Sequence, residues 1–203
     1  MVQRSTRIVA LFLLVCTAQQ GSAASLDSTD YQLLSTALSE LVIKPLTAHT
    51  EIPLKQVVIM AQTSTGIPPG AVGLTPMQDA EAQAIKKEAP ELLKSLLKLN
   101  KESVALDLGR LQSSVTLTTF TDQQAKEIFE GKGAGHWEEF YRRFPNSQGV
   151  SVLSRVVYSS AKTQALLYIG TMTQMVAGEG QLVLFEKNGS EWRMKRHGIV
   201  WVS

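Results

Sequence analysis

The sequence predicts an α+β fold, on three observations. From Thr29 to Phe144, runs with helical periodicity are separated by proline and glycine punctuation. From Val150 to Val202 the pattern changes to period two in successive runs, the last two joined by Asn188-Gly189. The hydrophobic content, 44% of the chain, is enough over about 180 residues to bury one core without covalent staples. The expected architecture is a single α+β domain over residues 25–203: an antiparallel C-terminal meander packed against helices on one face, with one or two added strands from the N-terminal half.

Residues 1–24 are read separately, as a signal peptide. Arg4 and Arg7 precede an apolar run from Ile8 to Cys16, and a polar tail ends in Gly21-Ser22-Ala23-Ala24. A spanning helix needs roughly 18 to 20 apolar residues, about twice this run, so the segment is an address and not an anchor. Small residues three and one positions before a cut fit cleavage after Ala23 or after Ala24. Lipidation at Cys16 is disfavoured, because the residue before it is Val15 and not a small one. The expected location is therefore periplasmic or secreted. Losing Arg4 and Arg7 leaves 18 basic residues against 18 acidic. A neutral chain has no excess cation for phosphates, which argues against nucleic acid as a partner. The only cysteine lies in the leader, which removes disulfides, thiolate metal sites and a cysteine nucleophile.

Thr29-Asp30-Tyr31-Gln32 has capping-box spacing, with Tyr31, Leu34, Leu38 and Leu41 following at helical intervals until Pro45 ends the helix. Val57-Val58-Ile59-Met60 is a buried strand within Lys55–Thr63. The Gly- and Pro-rich stretch from Thr65 to Thr75 is a loop. Thr75-Pro76-Met77-Gln78 opens a second helix, which Pro90 splits; beyond the split, Leu92, Leu93, Leu96 and Leu97 oppose Lys94 and Lys98. Ser114–Phe120 alternates as a strand, and Thr121-Asp122-Gln123-Gln124 caps a helix through Phe129. After Gly131–Gly135, a helix from His136 to Phe144 carries Trp137, Phe140, Tyr141 and Phe144 on one face. Four strands follow: Val150–Tyr158, Gln164–Met172, Gln181–Lys187 and Glu191–Val202. Asn188-Gly189 predicts a two-residue turn with positive φ at both positions, and a bulge near His197-Gly198 would bring Trp201 back to the face of Trp192.

Several stretches together carry a resemblance: Asp30-Tyr31, Val57-Val58-Ile59 with Thr63, Leu99-Asn100, Trp137, Phe140-Tyr141, Phe144-Pro145-Asn146-Ser147, Leu153-Ser154-Arg155-Val156, Gln164-Ala165-Leu166-Leu167-Tyr168, Gly178 with Gly180, Leu184 with Glu186-Lys187, Gly189 with Trp192, and Trp201-Val202-Ser203. In these the chain resembles a family of uncharacterised exported bacterial proteins. The resemblance implies export and a single domain, and implies no substrate, cofactor or catalytic residue. Sequences of this look often carry a cysteine pair before the Gly-x-Gly, where this chain has Thr171–Ala177.

The chemistry-bearing patterns are sparse. His136 beside Glu138 and Glu139 lacks the second histidine four residues on that a zinc helix needs, so no metal site is expected. Ser95-x-x-Lys98 and Ser159-x-x-Lys162 match a serine–lysine spacing without the partner motifs of acyl enzymes. The Gly131–Gly135 loop is not a nucleotide loop, and no cofactor motif is present. Arg155 stands between Leu153 and Val157 in an apolar strand and needs a carboxylate; Glu186 or Glu139 would supply it, a structural ion pair being favoured over a ligand contact. As ligand-binding candidates the sequence offers Arg155, Gln164, His136 and Glu139. The expected function is non-catalytic binding of a small ligand or a protein in the cell envelope. The alternatives are a small hydrolase or isomerase whose acid and base, among His136, Glu139 and Glu186, meet only in the fold, and an inhibitor or subunit that presents a sheet edge or the loop at 66–76.

Overall fold

The computed structural model describes residues 25–49, 54–65, 75–76, 79–129, 136–174 and 177–202. The leader, most of the Gly/Pro-rich loop and the Gly131–Gly135 linker therefore lie outside the described residues. In chain order the elements are α1 (Ser28–Leu38), a π-helical turn (Ser39–Ile43), α2 (Lys44–His49), β1 (Gln56–Met60), β2 (Thr75–Pro76), α3 (Ala80–Glu88), α4 (Pro90–Leu99), a 3-10 turn (Leu108–Arg110), β3 (Thr116–Phe120), α5 (Asp122–Phe129) and α6 (His136–Arg143). The C-terminal strands are β4 (Val150–Leu153), β5 (Val157–Tyr158), β6 (Gln164–Gln174), β7 (Ala177–Asn188) and β8 (Glu191–Val202).

All strands join one sheet in the order β2-β8-β7-β6-β4-β1-β3, with β5 also paired to β6. The meander β4-β6-β7-β8 is antiparallel, as the period-two pattern predicts. The N-terminal half adds β1, which runs parallel to both β3 and β4. Parallel neighbours need a long crossover, and the segment between β1 and β3 provides it. The result is one α+β domain.

Helices cover both faces of the sheet, not one. Leu34, Leu38 and Val42 of the first helix pack on Val57, Leu167, Val183 and Phe185. On the opposite face Ile85, Leu92 and Leu96 of α3 and α4 pack on Leu166, Tyr168, Leu182 and Leu184. Further along that second face, Phe120, Ile128, Phe140 and Phe144 enclose Val58 and Val150. Adjacent strand residues point to opposite faces, so the run Ala165–Ile169 is apolar throughout because both sides need filling.

Several expected boundaries move. The cap of α1 is Asp27, whose carboxylate and that of Asp30 each accept the other's backbone N–H at 2.9 Å. Pro45 does not end the helix. The π turn before it runs with the Lys44 N–H on the Ser39 carbonyl, five residues back, and this wider turn relieves the clash a proline ring makes in an α-helix. Thr75-Pro76 is not a helix start but an edge strand against Trp201-Val202, and Asp79 caps α3 instead. Pro90 does split α3 from α4, and Thr121 with Gln124 forms the predicted reciprocal cap of α5. The β7–β8 turn is Gly189-Ser190, one residue later than predicted, since Asn188 pairs with Glu191. Only Gly189 there has positive φ, 62°, which is the requirement of a II′ turn with glycine first.

In β8 the register slips twice, between Gly180/Gln181 and between Leu184/Phe185, leaving Val200 and Lys195 as extra residues on either side of His197-Gly198. Two slips cancel in phase. Trp192 therefore stays on the α1 face, while Trp201 reaches the other face, where its indole N–H donates to the Tyr168 hydroxyl at 2.9 Å.

Candidate functional site

The strand expected over Val150–Tyr158 is broken between Leu153 and Val157, and the residues of the break build the site. Ser154 causes it. Its N–H still donates to the Tyr168 carbonyl at 2.9 Å, but its hydroxyl accepts the Tyr168 N–H at 2.8 Å and donates to the Arg155 carbonyl at 2.7 Å, so a side chain replaces one of the two backbone bonds at that rung. The chain lifts off β6 and returns as β5, where Val157 and Tyr158 pair with Leu166 and Ala165. Asn100 fixes the lifted segment. It caps α4 and is 2% exposed; its amide donates to the Leu96 carbonyl at 3.0 Å while its oxygen accepts the Arg155 N–H at 2.8 Å. One buried amide thus ties the end of a helix to the break in the sheet.

A groove of about 720 Å³ opens between them, with Lys98, Lys101 and Glu102 on the helix side and Arg155, Val157 and Tyr158 on the strand side. Three cationic side chains face a single carboxylate in this lining. Arg155 is buried, 8% exposed, whereas Lys98 and Lys101 stand in solvent at the rim.

The carboxylate on which the charge of Arg155 acts is Asp30, while Glu186 and Glu139 pair with other cations. Burial raises the Asp30 carboxyl above its ordinary range; the Asp27 N–H and the Tyr158 hydroxyl lower it, the Asp27 charge raises it, and the positive charge of Arg155 lowers it by less. Tyr158 donates to Asp30 at 2.7 Å, and burial together with this bond holds the phenol far above its usual range. Asp30 thus has its own donors, and Arg155 acts on it through charge. Glu186 instead pairs with Lys195 at 3.0 Å.

The other sequence candidates lie elsewhere. Glu139 accepts from Arg142 and Arg143, both at 2.7 Å, and these hydrogen bonds hold its carboxyl down to about 2. His136 sets Nδ1 2.7 Å from the Ile128 carbonyl; a carbonyl only accepts, so this nitrogen is the donor. Gln164 reaches Glu88 at 3.4 Å, beside the ion pairs of Lys195 and Arg196 with that carboxylate. Ser95 and Lys98 both line the groove, but both are exposed and Ser95 is inside α4. Ser159 is used in a turn, accepting the Thr163 and Gln164 N–H groups.

Of the four ligand candidates, then, the groove lining includes Arg155 and none of the others. Asp30, Asn100, Lys98, Lys101 and Tyr158 complete the site; in the sequence Asn100 figures only in the resemblance, and Asp30 there and in the capping box of the first helix. Compared with family models, curated proteins and solved structures, the chain matches none. No helix among the described residues is long and apolar enough to cross a membrane.

Proposed function

We propose that this is an exported, non-catalytic domain of the cell envelope that binds a small anion with an apolar part in the groove at Arg155. The observation that carries the reading is that Arg155, a buried residue, lines an open groove whose rim adds Lys98 and Lys101. A guanidinium presents a planar fork of donors that matches a carboxylate or phosphate, and partial burial removes the water that would screen it. Val156, Val157 and Leu99 give the same groove apolar surface for the rest of the ligand. Export is supported by the leader pattern and by the family the chain resembles.

The binding test uses octanoate on the full protein, with octanol and octylammonium as controls. Octanoate is expected to shift amide resonances of residues 98–102 and 155–158 saturably, and Arg155→Met to weaken it by about tenfold or more, as loss of a charged hydrogen bond does. Equal shifts from octanol, or undiminished binding to the variant, would overturn the reading. Export has its own test: the mature protein is expected to begin next to Ala24 or Ser25, so an intact mass showing an uncut leader or an acylated Cys16 would reject it.

A further inference from the structure

A second cavity, of about 280 Å³, lies under the π turn, between Leu41, Val42 and Pro45 on one side and Thr171, Glu179 and Val202 of the sheet on the other. Among the described residues its one charged lining residue is Glu179. Glu179 is held in place from behind: the Gln181 amide donates to Oε1 at 2.7 Å, and the Gln181 oxygen faces His197 Nδ1 at 2.9 Å. With the amide nitrogen committed to Glu179, that oxygen can only accept, so His197 carries its proton on Nδ1. Gln181 is 8% exposed, so a buried amide orients one oxygen of the Glu179 carboxylate, and Glu179 is part of the cavity lining.

Leu41, Val42 and Pro45, of the π turn and α2, form the cavity wall on the helix side. The Thr171 hydroxyl lies 3.2 Å from that of Ser151, and among the described residues no lysine, arginine or histidine is part of the lining. The remaining wall, from Leu41, Val42, Pro45 and Val202, is apolar.

We infer that this cavity is a second binding site, for a small organic cation: a protonated amine on a compact apolar body. The carboxylate supplies the counter-charge, the apolar wall takes the body of the ligand, and the volume, at the small end for ligand pockets, excludes larger ligands. The site is separate from the groove at Arg155, on the face of the sheet covered by α1, and opposite in charge.

The test titrates the full protein with cyclohexylammonium, cyclohexanol and cyclohexanecarboxylate, following backbone amides by NMR. Cyclohexylammonium alone is expected to shift Thr171, Gly178, Glu179 and Val202. Glu179→Gln is expected to weaken it by about tenfold or more, the loss of one charge-assisted hydrogen bond, while Arg155→Met leaves it unchanged. Equal shifts from the alcohol, shifts confined to other residues, or full-strength binding to Glu179→Gln would each overturn the inference. The three-ligand comparison needs no variant, so it decides the matter even if the substitution disturbs folding. Because Arg155→Met and Glu179→Gln address different sites, failure of one reading leaves the other standing.

Discussion

Arg155 and Asp30 lie far apart in sequence, yet the charge of the first acts on the carboxyl of the second. Burial raises the Asp30 carboxyl above its ordinary range, and the Asp27 N–H, the Tyr158 hydroxyl and, least of these, the charge of Arg155 offset part of that rise. A carboxyl raised above its unfolded value of 3.8 lends stability that is complete below that pH and is lost as the pH rises through the folded-state value. Arg155→Met is therefore expected to move the Asp30 titration to still higher pH, carrying the end of that loss with it; carboxyl carbon NMR of the two proteins checks this, and an unmoved titration would place the guanidinium too far away to act. A second single-residue constraint lies at Gly180. An added Cβ there would meet Trp201 Nε1 at 2.1 Å and the Tyr168 hydroxyl at 2.6 Å, the two ends of the buried hydrogen bond between β8 and β6. Neither ring has room to retreat, because both side chains are buried. Gly180→Ala is expected to cost about 1 to 3 kcal/mol by overpacking, measured by denaturant titration. A neutral result would mean that the Trp201–Tyr168 bond is not made.

At the scale of elements, the β7–β8 hairpin separates what glycine does from what asparagine does. With Gly189 first in a II′ turn and Asn188 in the last strand pair, Gly189→Ala is expected to lose about 1 kcal/mol, and Asn188→Thr to be neutral or slightly stabilising. Thermal melts of both variants check the register; a costly Asn188→Thr would restore the turn one residue earlier. The Asn-Gly pair was legible as a hairpin, but not in its register, because the pairing partners across the strands decide which residues are left over. The same distinction runs through the chain. Pro90, the Thr121–Gln124 cap and the aromatic face of α6 were legible because their causes lie within one helical turn. The passage of the first helix through Pro45, the edge strand at Thr75-Pro76 and the break at Ser154 were not. Each depends on a wider turn or on a partner many residues away, such as Trp201-Val202 for β2 and Tyr168 for Ser154. The site shared this fate: Arg155 was visible as an odd cation in an apolar run, while the carboxylate on which its charge acts and the amide that holds it arrive from α1 and α4.

For the whole molecule the decisive feature is that the sheet is covered twice. A meander alternating apolar and polar residues needs helices on one side only, and β8 has that character, with exposed residues at alternate positions from Glu191 to His197. The centre of β6 does not: Leu166 and Leu167 are both fully buried, the first against α4, the second against α1. Two adjacent strand residues cannot share a face, so each must belong to a separate packed layer. Leu166→Ala and Leu167→Ala are therefore both expected to destabilise the domain by about 2 to 5 kcal/mol, the range for leucine truncation in a well-packed core. The two costs should be nearly additive in the double variant, because the cavities open on opposite sides of the sheet and share no wall. Urea titrations of the three variants, with an unchanged dependence on denaturant concentration, make the comparison direct. If either leucine proved replaceable at less than about 1 kcal/mol, the sheet would be open on that side. In that case α1 or the α3–α4 pair would not form the packed layer that holds Asp30 and Asn100 against the groove.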